Sequence, residues 1–126
     1  MLTAAGAAAA AGARVFIATS SQGLLCGFEM LYTIAGWRVP LVLVNVSRGL
    51  SSPITLEADH NDILAARDSG FIQIHTETCQ KVMDTILMAY RLAEDQRVML
   101  LVLVNWCGRY YGLVEPFQLD DADTCW

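Results

Sequence analysis

Two loops hold most of the residues with chemistry to offer. Thr19, Ser20, Ser21, Gln22 and Gly23 follow a short apolar run and open what reads as a helix, so hydroxyls and backbone N–H groups gather there. Such a place can hold an anion or line a cofactor pocket. Serines at a helix start are also ordinary caps. Arg48 stands in a second loop of small residues, just past another apolar run, with no acidic neighbour until Glu57. Its planar fork has room to take a substrate carboxylate, or it is tied to loop carbonyls or a distant aspartate. Asp59, His60 and Asp62 come next. One histidine and two carboxylates are too sparse to define a metal site or an acid–base dyad, and in a turn before a helix they read as caps and loop hydrogen-bonders. His75, ending an apolar strand, reads as a satisfied, half-buried histidine; Glu29 reads as a helical carboxylate that reaches solvent. Trp106, Tyr110 and Tyr111 read as interface packing.

The elements that must position these groups alternate. An Ala/Gly-rich stretch over 1–13 reads as a helix packed closely against a sheet or another subunit, since small side chains let backbones approach. It has no basic start, so it does not read as an export signal. A strand is expected over 15–18 and a helix over 22–35, capped by Ser20 or Ser21 and stopped at Gly36, with Leu24, Leu25, Phe28, Leu31 and Tyr32 as its buried face. The run 41–46 is apolar throughout, as in a parallel strand covered on both faces. A long loop over 47–61 follows, and a loop of that length in a compact domain is more often functional than idle. A short helix over 63–67 closes near Gly70, and a strand spans 71–75. The clearest helix spans 78–94, with Val82, Ile86, Ala89, Tyr90 and Ala93 on one face. The last central strand is expected over 98–104. This rhythm predicts an α/β fold with a doubly wound, mainly parallel sheet. Beyond Cys107 the pattern dissolves into an irregular tail over 107–126 that leads toward a further domain.

Composition narrows the function classes. The chain of 126 residues suits one domain, 55% of its residues are hydrophobic and 17% charged, which excludes disorder and leaves apolar surface for neighbouring domains or subunits. A net charge of -5 with eight scattered Lys and Arg residues argues against nucleic acid. The longest apolar runs fall far short of the roughly 20 residues a membrane helix needs. Cys26, Cys79, Cys107 and Cys125 show no CxxC pair and no zinc spacing. They read as reduced, mostly buried thiols of a cytoplasmic protein, and their wide separation is wrong for an iron–sulfur cluster.

A family pattern runs through the same residues. Gly12-Ala13-Arg14, residues 19–24, Glu29-Met30, Ala35-Gly36, Arg38 with Pro40, Arg48 with Leu50-Ser51 and Pro53-Ile54, Asp59-His60 with Asp62, Arg67-Asp68 with Gly70, Ala93-Glu94-Asp95 and Glu115-Pro116 occur in this order. Together they resemble the amino-terminal, pyrimidine-type thiamine-diphosphate-binding domain of the 2-oxoacid:ferredoxin oxidoreductases, the group that includes pyruvate:ferredoxin oxidoreductase and the alpha subunit of pyruvate synthase. The resemblance covers nearly the whole chain. It implies an enzyme that oxidatively decarboxylates pyruvate or a related 2-oxoacid to acyl-CoA and carbon dioxide, passing electrons to ferredoxin or flavodoxin. It implies thiamine diphosphate shared with another domain or subunit, while Mg2+ and [4Fe-4S] clusters are held elsewhere, in diphosphate-binding, gamma-type and ferredoxin-type parts of the assembly. By matching position, Arg48 would pair the substrate carboxylate, Thr19, Ser20, Ser21, Gln22 and Gly23 would line the cofactor pocket, and Asp59 and His60 would sit in a loop near the site.

The departures from the pattern are specific. The family carries a Tyr-Pro-Ile-Thr-Pro-like segment and then a cofactor-activating glutamate ahead of this region, and both would precede Met1. The resemblance therefore implies the later part of the domain, incomplete, with no catalytic glutamate and no metal ligands in this chain. The usual Asn before the arginine is Ser47, the usual aromatic in the following loop is Glu57, and the usual Asp-Gly-Phe is Cys107-Gly108-Arg109. The expectation is part of a 2-oxoacid:ferredoxin oxidoreductase, with pyruvate the first substrate; the alternative is a non-catalytic remnant or assembly module of such a complex. A pyrimidine-binding domain of another thiamine enzyme, such as a 2-oxoacid dehydrogenase or transketolase, is a further alternative, disfavoured by the stretches around Thr19 and Arg48.

Overall fold

The computed structural model describes residues 1–50 and 59–95, together with the backbone of 102–106. Helix α1 (Leu2–Ala10) leads into β1 (Phe16–Ser20), and two short helices, α2 (Ser21–Cys26) and α3 (Phe28–Trp37), carry the chain to β2 (Val42–Val46). Then come α4 (Asn61–Ala65), a 3-10 turn (Ala66–Ser69), β3 (Ile72–Thr76), the long helix α5 (Cys79–Ala93) and β4 (Val102–Trp106). All three strand pairings are parallel, in the order β1-β2-β4-β3. The chain steps from β1 to β2 and on to β3, leaving a place that β4 fills on its return.

That reversal puts helices on both faces of the sheet, the expected doubly wound arrangement. Successive side chains of β2 point to opposite faces. Leu41 and Leu43 pack with Leu2, Leu24, Leu31, Ile34 and Ile63 from the α1 to α4 side. Val42 and Val44 pack with Ala89 and Ala93 of α5. Two apolar layers thus explain why the 41–46 run is hydrophobic throughout. The α5 helix forms as expected, its first turn capped by Thr78, whose Oγ1 accepts the Lys81 N–H at 3.2 Å.

The helix expected over 22–35 is two helices. The break falls at Gly27, where the Leu2 side chain occupies the space a Cβ would need. At Gly6 a Cβ would lie 2.7 Å from Ile34 Cγ1, so α1 approaches α3 as closely as its small residues suggest. The buried face of this pair is Leu24, Leu31 and Ile34, each fully buried, whereas Tyr32 is exposed and meets Phe28 edge-to-face at 5.5 Å. Tyr32 sits about 100° round the helix from Leu31, which turns it off the core side.

Helix α3 also runs past Gly36 and ends on Arg38, in the left-handed region at φ 54° and ψ 43°. A side chain pays a steric penalty there that glycine avoids. Arg38→Gly is therefore expected to raise stability by about 1 kcal/mol, read as a higher urea midpoint at unchanged m value.

Three strands begin a residue after their expected start, and β1 and β3 extend further into polar sequence than expected. Ladder hydrogen bonds are made by the backbone, so Thr19, Ser20 and Thr76 pair although apolar patterning stops short of them. The last strand is described over Val102–Trp106, against an expected 98–104, of which 98–101 lie outside the described residues together with 51–58 and the tail. Cys26 and Cys79 are exposed, not buried, because each terminates a helix on its solvent side; Cys107 and Cys125 are outside the described residues. His75 is likewise exposed, since β3 ends on the sheet edge. Among the described residues no helix is long and apolar enough to cross a membrane.

Candidate functional site

The carboxyl ends of β1 and β2 carry a gradient from apolar to polar. On the face toward α1 to α4, β1 presents Ile17 and Thr19, followed by Ser21 at the start of α2, and β2 presents Leu43 and Asn45, followed by Ser47 just past the strand. The parallel register sets Ile17 beside Leu43 and Thr19 beside Asn45. The core therefore turns polar just where the two loops leave the sheet. Such an edge is the usual ligand crevice of open α/β sheets.

Asp62, in the first turn of α4, fills the centre of this polar zone. It is fully buried, as are Ser21 and Asn45, and Ser47 is 5% exposed. A buried carboxyl group needs hydrogen bonds to replace lost water. Asn45 Nδ2 donates to Asp62 Oδ2 at 2.7 Å, and the Ser21 hydroxyl lies 2.8 Å from the same oxygen. The Ser47 hydroxyl and the Ile63 N–H donate to Oδ1 at 2.8 and 2.7 Å. Four donors thus converge from two strand ends and α4.

The cluster reaches Arg48 through its backbone. Arg48 N–H donates to Ser21 Oγ at 2.8 Å, and the one proton of that hydroxyl can serve Asp62 Oδ2 or the Arg48 carbonyl, also 2.8 Å away. Ser20 stands at the cap position of α2, yet its hydroxyl donates across to the Val46 carbonyl at 2.9 Å and makes no cap bond. Gln22 Nε2 makes a longer contact, 3.5 Å, to the Gly49 carbonyl. Residues 19–23 and 47–50 are therefore laced together. The guanidinium of Arg48, half-buried, forms no hydrogen bond or ion pair with a described residue.

Asp59 and His60 are used differently. Asp59 accepts from the backbone N–H groups of His60 and Asn61 at 2.7 and 3.3 Å and from Asn61 Nδ2 at 2.8 Å, which is a local turn closure before α4. The His60 ring stacks edge-to-face on His75 at 5.9 Å. Neither enters the buried cluster. Glu29 reaches solvent on α3, as expected. Among the described residues there is no group of three or more His, Cys, Asp or Glu side chains able to hold a metal ion. Asp62 and Asn45 were the members that patterning undervalued. Signals existed: Asn45 interrupts an apolar strand, and Asp62 shares helical spacing with buried Ala66 and Ser69.

A second recess, about 360 Å³, lies at the opposite end of the sheet between Gly12, Arg14, Pro40, Tyr90 and Glu94. It brings together Gly12-Ala13-Arg14 and Ala93-Glu94-Asp95, segments 80 residues apart. Arg14 clasps Glu94 with two parallel bonds, Nη2 to Oε2 at 2.8 Å, and its guanidinium lies 5.6 Å from the Tyr90 ring centre. The hydrogen bond and charge of Arg14 hold the Glu94 carboxyl below its ordinary range, and Glu94 in turn raises Arg14. A carboxyl lowered in the folded state adds stability above its unfolded pKa and loses it as pH falls through the folded value. The thermal midpoint of Glu94→Gln should therefore trail the parent near neutrality and converge with it in acid. The effect is small, since both groups are solvent-exposed.

An open parallel α/β sheet with polar loops laced together at the carboxyl ends of β1 and β2 defines a domain of doubly wound type, whose ligand crevice lies at that edge. Comparison with known proteins narrows this class. The model of the pyruvate flavodoxin/ferredoxin oxidoreductase, thiamine diphosphate-binding family matches residues 1–119, and the chain belongs to that family. Pyruvate synthase subunit PorA of Methanocaldococcus jannaschii is 48% identical over 117 residues, which cover 92% of this chain and 30% of that protein. The PorA of Pyrococcus furiosus is 42% identical over 118 residues, covering 93% of this chain and 30% of the relative. Ketoisovalerate oxidoreductase subunit VorA of Pyrococcus horikoshii is 45% identical over 96 residues, covering 76% and 24%. The chain spans less than a third of the length of these relatives.

The residues present suit the aminopyrimidine end of thiamine diphosphate. Gln22 Oε1 is buried and accepts no hydrogen bond among the described residues, so it offers an acceptor to an aromatic amine. At Gly23, in the first turn of α2, a Cβ would run into the Thr19 hydroxyl, so the helix start lies close against the end of β1.

Proposed function

We propose that this chain forms the pyrimidine-side wall of the active site of a 2-oxoacid:ferredoxin oxidoreductase. The complete assembly oxidatively decarboxylates pyruvate or a related 2-oxoacid, releases acyl-CoA and carbon dioxide, and delivers electrons to ferredoxin or flavodoxin. Arg48 pairs the substrate carboxylate. Thr19, Ser20, Gln22 and Gly23 border the cofactor, with Gln22 and Gly23 nearest in chemistry to its ring, and the fully buried Ser21 supports them from behind. Thiamine diphosphate supplies the nucleophilic carbon and electron sink that 2-oxoacid cleavage needs; this chain binds, orients and balances charge. Mg2+, the diphosphate and the [4Fe-4S] clusters are held by other domains or subunits of a cytoplasmic complex.

The observation that carries this reading is the pairing of a laced loop backbone with an arginine fork that no described residue engages, at the crevice edge of the sheet. Ser47, where the family usually has Asn, donates to Asp62, so this departure keeps the loop anchored. Phe16, Leu87 and Met88 are half or more exposed, apolar surface that suits packing within a larger assembly.

The test is a turnover assay of the purified complex containing this chain. Thiamine-dependent, CoA-dependent reduction of ferredoxin with pyruvate or a branched 2-oxoacid is the expected result. Thiamine diphosphate binding without turnover on any 2-oxoacid, or no binding, would leave the chain an assembly module.

A further inference from the structure

We infer that Asp62 and Ser21 are positioning residues for substrate-carboxylate recognition, acting through the backbone of Arg48. The inference rests on the reading of Arg48 given above. Arg48 is held at both sides of its N–H: Ser47, the preceding residue, donates to Asp62 Oδ1 at 2.8 Å, and the Arg48 N–H itself donates at 2.8 Å to Ser21 Oγ. Ser21 in turn lies 2.8 Å from Asp62 Oδ2. Asp62 therefore ties three separate segments, the first turn of α2, the end of β2 and the start of α4, into one unit. A long side chain such as arginine can aim a bidentate fork only if its own Cα is fixed, and here no side-chain bond to a described residue fixes the fork directly. The burial of Asp62 and Ser21 keeps them from touching substrate. Their influence passes through the loop.

The geometry also separates the two oxygens. Oδ2 serves Ser21 and Asn45, while Oδ1 serves Ser47 and the Ile63 N–H. Ser21→Ala removes one tie to the loop and leaves the other oxygen's partners intact, so it probes position with the least damage to the core. Asp62→Asn replaces one acceptor by a donor, so the two donors that face that position lose their acceptor while the remaining oxygen keeps its own.

The experiment uses the assembled oxidoreductase and a double-mutant cycle of Ser21→Ala with Arg48→Ala, read as KM and kcat for the 2-oxoacid. Ser21→Ala alone should raise KM by roughly tenfold with a smaller loss in kcat. In the Arg48→Ala background the same substitution should cost almost nothing further, because its effect runs through the arginine. Ser21→Thr, which keeps the hydroxyl, should recover most of the KM. Additive losses in the double variant, or an unchanged KM in Ser21→Ala, would overturn the inference while leaving Arg48's role standing. An unchanged KM in Arg48→Ala alone would instead overturn the carboxylate assignment itself. Should Asp62→Asn fail to assemble, the Ser21 cycle decides by itself.

Discussion

Arg48→Lys in the assembled enzyme should lower kcat/KM for the 2-oxoacid by about a hundredfold to a thousandfold, nearly as much as Arg48→Ala. Lysine keeps the charge but presents a compact ammonium on a flexible stem, whereas a carboxylate is best met by the planar two-pronged fork of arginine. Truncating one partner of a desolvated charge pair costs about 2 to 5 kcal/mol, and each 1.36 kcal/mol is a factor of ten. The loss should appear in kcat as well as KM if the arginine also holds the acid in its reacting orientation. Steady-state kinetics with pyruvate and a branched 2-oxoacid checks this. Normal turnover by the lysine variant would remove the carboxylate role from Arg48.

Asp62→Ala should be the most damaging single change to stability at the site, costing about 3 to 5 kcal/mol. Removing the carboxylate takes a shared acceptor from Asn45 Nδ2, the hydroxyls of Ser21 and Ser47, and the Ile63 N–H, and opens a cavity among them; the Ser21 hydroxyl keeps the Arg48 carbonyl and Asn45 Nδ2 keeps Ser47 Oγ. The cost lies in the buried cavity and in donors left short of an acceptor, the Ile63 N–H above all. Replacing Ser21, Asn45 and Ser47 by apolar residues along with Asp62 should therefore recover part of the stability while leaving the loop of Arg48 untied. Denaturant unfolding of the subunit provides the measurement. A shift of the midpoint by less than about 1 kcal/mol would mean that water replaces the carboxylate without penalty.

The alternation of elements was legible because each depends on local pattern. The 3.6-residue spacing of Val82, Ile86, Ala89, Tyr90 and Ala93 predicts α5 and its buried side, and Ala89 and Ala93 are buried against the sheet. The uniform apolar run of β2 reflects cover on two faces. Less local features were missed for identifiable reasons. Continuous helical patterning through 22–35 hides the break at Gly27, whose backbone leaves the helical path at φ -105° and ψ 15° and whose missing Cβ makes room for Leu2 from another helix. A proposed cap, Ser20, looks the same in sequence whether its hydroxyl serves its own helix or the neighbouring strand's Val46 carbonyl.

At the site, the family pattern singles out both loops and Arg48 as candidates from the order of residues along the chain. It paired Asp62 with Asp59 and His60, near in sequence. Tertiary structure parts them: Asp59 closes its own turn, and Asp62 turns inward to Asn45, Ser47 and Ser21, residues 15 to 41 positions away. The sequence by itself determined the fold class, the family and the loops that face the crevice, because periodicity, turn chemistry and motif order are written locally. Only the tertiary structure decided which carboxyl is buried and which loop it anchors, because a buried polar group is defined by the partners that replace its water, and those come from distant parts of the chain.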